Sequence, residues 1–134
     1  MIDLRFHARA ALLALRLEAR SRAGKPMVPE RREGRGRCPL ADREAQLAVV
    51  ASRRAVARLC CLNSCLTRSI VLFQLLERRY PARLEIGFRA GEWKPEGHAW
   101  VTVDGEPLGE PAGTLEGFTT LGAERPVSSA IDAP

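Results

Sequence analysis

Cys65 follows Asn63 and Ser64 and opens an apolar run, CLTRSIVLFQLL, while His98 stands thirty-three residues further on in GHAWV. A thiol and an imidazole suit nucleophilic catalysis: the thiolate attacks a carbonyl carbon and the imidazole manages the protons. Asn63 and Ser64 are good helix N-caps, so Cys65 is expected at a helix N-terminus, where unpaired backbone N–H groups and the helix dipole favour an anion. A cysteine in an apolar helix can equally be core filler, and a histidine before a strand can be a satisfied polar group. The order of the two residues favours the pair. The backbone N–H of Cys65 is a natural donor to an oxyanion, with Asn63 a candidate for the second donor. Arg68, one turn into the helix, is expected to shape the site or its substrate. Cys60, Cys61 and Cys65 do not have the spacing of a zinc knuckle and Cys38 lacks a Cys-x-x-Cys partner, so no metal is expected. Cys60 and Cys61 are read as buried filler.

The elements that must position this pair are legible in the hydrophobic periods. Leu4, Ala8, Ala11, Leu12, Leu15 and Ala19 recur at helical spacing, with Arg5, Arg9, Arg16 and Arg20 off that stripe, which predicts one amphipathic helix in residues 1–22 with these leucines buried. Residues 23–40, rich in Gly, Pro and charge, are expected to be a loop or mobile linker. Leu47, Val50, Val56 and Leu59 predict a second helix over 41–58, and Leu66, Ile70, Phe73 and Leu76 a central one over about 65–79, ended by Tyr80-Pro81. Leu84, Ile86 and Phe88 alternate with Arg83, Glu85 and Gly87 as in a strand. His98–Val103, Asp104-Gly105 and Glu106–Gly109 form a hairpin pattern, because Asp-Gly favours a two-residue turn. With Val103 opposite Glu106, Ala99 lies opposite Glu110, and Glu110 reaches the diagonal neighbourhood of His98. Asp104 sits at the tip, so geometry favours Glu110 as the orienting carboxylate, with Asp104 the alternative under another register. Trp100 shares a face with His98 and could pack over the imidazole or simply fill the core. Residues 111–134 are weakly patterned and expected to be irregular, the last ten frayed.

At 134 residues the chain is expected to form a single domain, residues 1–134, with a catalytic core over 41–110. The net charge of +5 is uneven: residues 1–58 hold fourteen Arg and Lys against six Asp and Glu, and residues 59–134 hold seven against ten. No basic stripe interleaved with aromatics accompanies that excess, so nucleic acid is not an expected partner. There is no secretory leader and no apolar run long enough to span a bilayer, which argues for a reduced, cytoplasmic protein without an integral membrane segment.

CLTRSIVLFQLLERRYPARLEIGFRAG followed by GHAWVTVDGEPLGE resembles the transglutaminase-like cysteine protease domain of lasso peptide maturation B proteins. Cys65, Leu66, Arg68 and Ser69 fall on its Cys-Leu-x-Arg-Ser/Ala motif, and His98, Ala99, Trp100, Val101, Asp104 and Gly105 on its His-Ala-Trp-Val strand and Asp-Gly turn. The resemblance covers about residues 53–110. It implies an α+β fold, with N-terminal helices and a papain/transglutaminase-like core in which a central Cys-bearing helix packs on a small antiparallel sheet. It further implies a cofactor-free Cys–His–acid triad that removes the leader from a ribosomally made precursor peptide, after which an asparagine-synthetase-like macrolactam cyclase closes the ring. The family's acid is an Asp about a dozen residues after the histidine; Glu110 takes that place here. Residues 1–40 offer one helix and a loop, so the chain resembles the stand-alone protease, which works with a separate leader-binding protein. On the same residues, a non-catalytic scaffold that binds a peptide or partner is the alternative.

Overall fold

A computed structural model describes residues 2–121 of the chain. Three helices, α1 (Ile2–Arg22), α2 (Asp42–Leu59) and α3 (Cys65–Leu76), precede four strands, β1 (Ala82–Arg89), β2 (Glu96–Val103), β3 (Glu106–Pro107) and β4 (Thr119–Thr120). The strands form one antiparallel sheet in the order β3-β2-β1-β4. The α+β architecture expected from the sequence is therefore the observed one.

α3 lies at the centre because it has no polar side: Ile70, Val71, Phe73 and Leu76 are fully buried, and the helix packs against α1, α2, β1 and β2. It meets the sheet on the face carrying Ala82, Leu84, Val101 and Val103. The opposite face has its own small core, Trp100, Leu115 and Phe118. Two faces of unequal depth explain why the alternation of β1 is incomplete: Leu84 is buried, Phe88 is half exposed, and Gly87 is buried where its missing Cβ lets the Trp100 ring and β4 approach.

Several expectations are corrected. The buried face of α1 is Phe6, Ala10, Leu13, Ala14 and Leu17, whereas Leu4, Leu12 and Leu15 are exposed. Small residues won because α1 and α2 approach closely, setting Ala10 and Ala14 in a core with Ala48, Ala51 and Ala55. The same preference leaves Val50 of α2 exposed.

Of the two readings of residues 23–40, loop or mobile linker, the loop is the observed one, and its residues 32–38 form a strap hydrogen-bonded along the α3–β1 connection. The amide of Leu84 donates to Arg32, Gly34 to Ala82, Arg35 to Glu77 and Cys38 to Arg79, and Glu33 bridges Arg83. α3 stops at Leu76 rather than at residue 79, and the strap amides take the Glu77 and Arg79 carbonyls, which have no partner within the helix. A Cβ at Gly36 would overlap the Arg79 carbonyl, so the alternating glycines of RREGRGRCP permit the close approach.

The tail is less irregular than expected, because Thr119 and Thr120 pair with β1 and Leu115 and Phe118 are buried. The fraying expected of the last ten residues lies outside the described part. Among the described residues no helix is long and apolar enough to cross a membrane.

Candidate active site

The N-terminus of α3 is set by Ser64, whose extended backbone and side-chain oxygen, accepting from the Thr67 amide at 3.2 Å, cap the helix. Cys65 is therefore the first helical residue and half-buried. One turn later the Ser69 hydroxyl, which is buried, donates to the Ala99 carbonyl at 3.0 Å. That bond fastens the cysteine-bearing turn to the strand residue next to His98.

His98 lies opposite Gly87 in β1. The β2–β3 turn has positive φ at Asp104 (53°) and Gly105 (79°), as an Asp-Gly hairpin turn requires, and Val103 pairs with Glu106 as the spacing predicts. The chain then runs on beside β2, with the Leu108 amide donating to Val101 at 2.9 Å, and this brings Glu110 alongside His98. A carboxylate oxygen of Glu110 accepts from Nε2 of His98 at 2.9 Å, with both side chains largely withdrawn from water. Asp104 is exposed on the turn six strand residues from His98, a span of about 20 Å.

The imidazole is also fixed by rings. Trp100 stacks beside it at 5.9 Å between centroids and 19° between planes, and Phe118 leans on it at 5.8 Å. Trp100 and Phe118 meet edge to face. The sequence pointed to Trp100 but not Phe118, whose only signal was being the one large aromatic in a Gly-rich tail.

Cys65, His98 and Glu110 line one cavity of about 130 Å³. Arg68, Ser69 and Leu72 of α3 border it, with Val49, Ser52 and Arg53 of α2 and residues 108–111. α3 is tied to β2 through the Ser69–Ala99 bond, and Cys65 of the helix and His98 of the strand line the same cavity. Arg53, which the sequence did not single out, donates to the Gly109 carbonyl at 2.8 Å and so holds the residue preceding Glu110. Gly109 has φ of 69° and its absent Cβ would lie 2.9 Å from Val49, so both backbone freedom and closeness to α2 require glycine. Asn63 is exposed and outside the cavity lining, its side-chain oxygen accepting from Arg68 at 2.8 Å.

The other cysteines are placed differently. Cys60 donates to the Ala14 carbonyl at 3.5 Å, and burial, followed by the charge of Glu18, pushes its thiol up from the usual range. Cys61, expected to be buried, is exposed at the end of α2, where its amide donates to Glu18 and its sulfur contacts Arg22. Among the described residues no three His, Cys, Asp or Glu side chains are grouped to hold a metal ion.

A thiol at a helix N-terminus and a strand-borne imidazole backed by a carboxylate thus lie together on an α+β core. The chain belongs to the transglutaminase-like superfamily, whose family model matches residues 2–123. Neither the curated proteins nor the solved structures contain a match to it.

Proposed function

We propose that this protein is a cysteine peptidase that removes the leader from a ribosomally made lasso peptide precursor. The observation that carries the catalytic part is the His98–Glu110 contact at 2.9 Å beside a cavity that also exposes Cys65. The substrate assignment rests on the Cys-Leu-x-Arg-Ser and His-Ala-Trp-Val motifs.

In this reading Glu110 fixes the tautomer and orientation of the imidazole through Nε2, leaving Nδ1 to exchange a proton with the Cys65 thiol. The thiolate attacks the carbonyl carbon at the leader–core junction, and the oxyanion is met by the Cys65 backbone N–H. Collapse expels the amine of the core peptide, which takes its proton from His98 and leaves the leader as a thioester on Sγ. Water, deprotonated by His98, hydrolyses the thioester, releasing the leader carboxylate and regenerating the thiol. Trp100 and Phe118 hold the ring and keep bulk water from it. A separate leader-binding protein delivers the precursor, and a macrolactam cyclase consumes the freed core.

The test is precursor cleavage followed by mass spectrometry in ¹⁸O-labelled water, with the leader-binding protein present. One label is expected in the leader carboxylate, and Cys65→Ala should lower the rate at least about a thousandfold while Cys60→Ala and Cys61→Ala retain activity. Leader conjugated to an added amine would show acyl transfer instead. Intact precursor with a Cys65 unreactive towards iodoacetamide would identify a binding scaffold.

A further inference from the structure

α1 presents two apolar stripes, and the fold uses only one. Phe6, Ala10, Leu13, Ala14 and Leu17 face the core, while Leu4, Leu12 and Leu15 are 75%, 49% and 52% exposed, with Ala8 and Ala19 exposed between them. At helical spacing these five residues form a single outer stripe about 22 Å long. Isolated surface leucines are ordinary, but three aligned on one face are a patch.

The charges beside the patch say what kind of partner fits. Arg5, Arg9, Arg16 and Arg20 are all exposed and fall on one flank, between the outer stripe and the core-facing one. Arg20 also donates to the Pro26 carbonyl. Arg9 and Arg16 join Leu12 and Leu13 in lining a surface hollow completed by Gln74, Glu77 and Arg78 at the end of α3. The opposite flank carries Glu18, neutralised by Arg22 at 2.8 Å.

A second copy docking antiparallel would set arginine row against arginine row. An anionic bilayer would suit cations on both flanks and aromatic anchors, and this stripe has neither. A helix bearing leucines at matching spacing and a carboxylate row on one side satisfies both the stripe and the flank.

We infer that the outer face of α1 is a docking surface for an acidic amphipathic helix of another protein. The surface does not depend on any activity of Cys65.

The probe is a fluorescent synthetic amphipathic helix carrying leucines at heptad positions and a flanking row of Glu, compared by anisotropy with the same peptide carrying Lys. The full chain should bind the Glu peptide at least about tenfold more tightly than the Lys peptide. Arg9→Glu with Arg16→Glu should reverse that preference, and Leu12→Ser with Leu15→Ser should weaken the Glu peptide by about tenfold or more. All four side chains are surface residues, and circular dichroism checks that each variant keeps its fold. Hydrogen exchange should show new protection within residues 4–20 on binding. Equal affinity for both peptides, or affinity untouched by either variant, would overturn the proposal. So would a self-associating chain whose dimer the leucine variants dissolve, or stronger uptake by anionic vesicles than by the Glu peptide.

Discussion

His98 is held by one charged neighbour and two rings, and the three do different work. The Glu110 carboxylate selects which nitrogen carries the proton, while Trp100 and Phe118 limit how far the ring can swing. On the proposed function, Glu110→Gln, which keeps the size and an acceptor but removes the charge, should lower kcat for leader cleavage by about a hundredfold with little change in KM. Glu110→Asp, too short to span the same distance, should be intermediate. Asp104→Asn tolerates the positive φ of the turn and should leave kcat within about twofold, since the turn lies about 20 Å from the imidazole. Steady-state kinetics on the three variants separates the two carboxylates.

Among the elements, the α3–β2 contact is the one on which the site's geometry turns. Ser69→Ala would leave the buried Ala99 carbonyl without its hydroxyl donor, at a cost of about 1–3 kcal/mol in urea unfolding, and would also free the turn bearing Cys65. The α2–β1 side has a separate reporter. Tyr80, the only tyrosine of the chain, is buried and donates to Glu44 at 2.6 Å; burial, and then that bond, push its phenol up to about 12. Because the folded value is raised, the stabilisation is complete below the ordinary tyrosine value near 10 and is lost as pH rises through about 12. Phenolate absorbance should therefore show one late transition in the native protein and one near 10 in urea. The hairpin, the start of α3 and the nearness of Glu110 to His98 were legible in the sequence, because caps, Asp-Gly turns and two-residue alternation are local signals. The buried face of α1 was not. Both of its stripes have helical period, and the choice between them is made by Ala48, Ala51 and Ala55 of another helix. Arg53 was illegible for a related reason, since its bond to the Gly109 carbonyl spans fifty-six residues.

Across the whole molecule, the strap of residues 32–38 joins the helical half to the sheet chiefly by backbone bonds, to residues more than forty positions later in the chain, with an ion pair between Glu33 and Arg83 beside them. Its pattern of glycines among arginines looks like linker composition, and only the carbonyls it meets make it structure. Those bonds cannot form until the α3–β1 connection has taken its native path, so the strap closes late in folding and opens early in unfolding. Arg31, Arg32, Arg35 and Arg37 make it an inviting site for trypsin as soon as it lifts. Native protein should thus be nicked there slowly, at a rate that tracks local opening. Gly36→Ala, whose methyl overlaps the Arg79 carbonyl, should speed that nicking by tenfold or more, on the order of a 1.4 kcal/mol shift in opening. Cleavage in the strap then serves as a clock for the docking of the sheet, read on a gel without any substrate for Cys65.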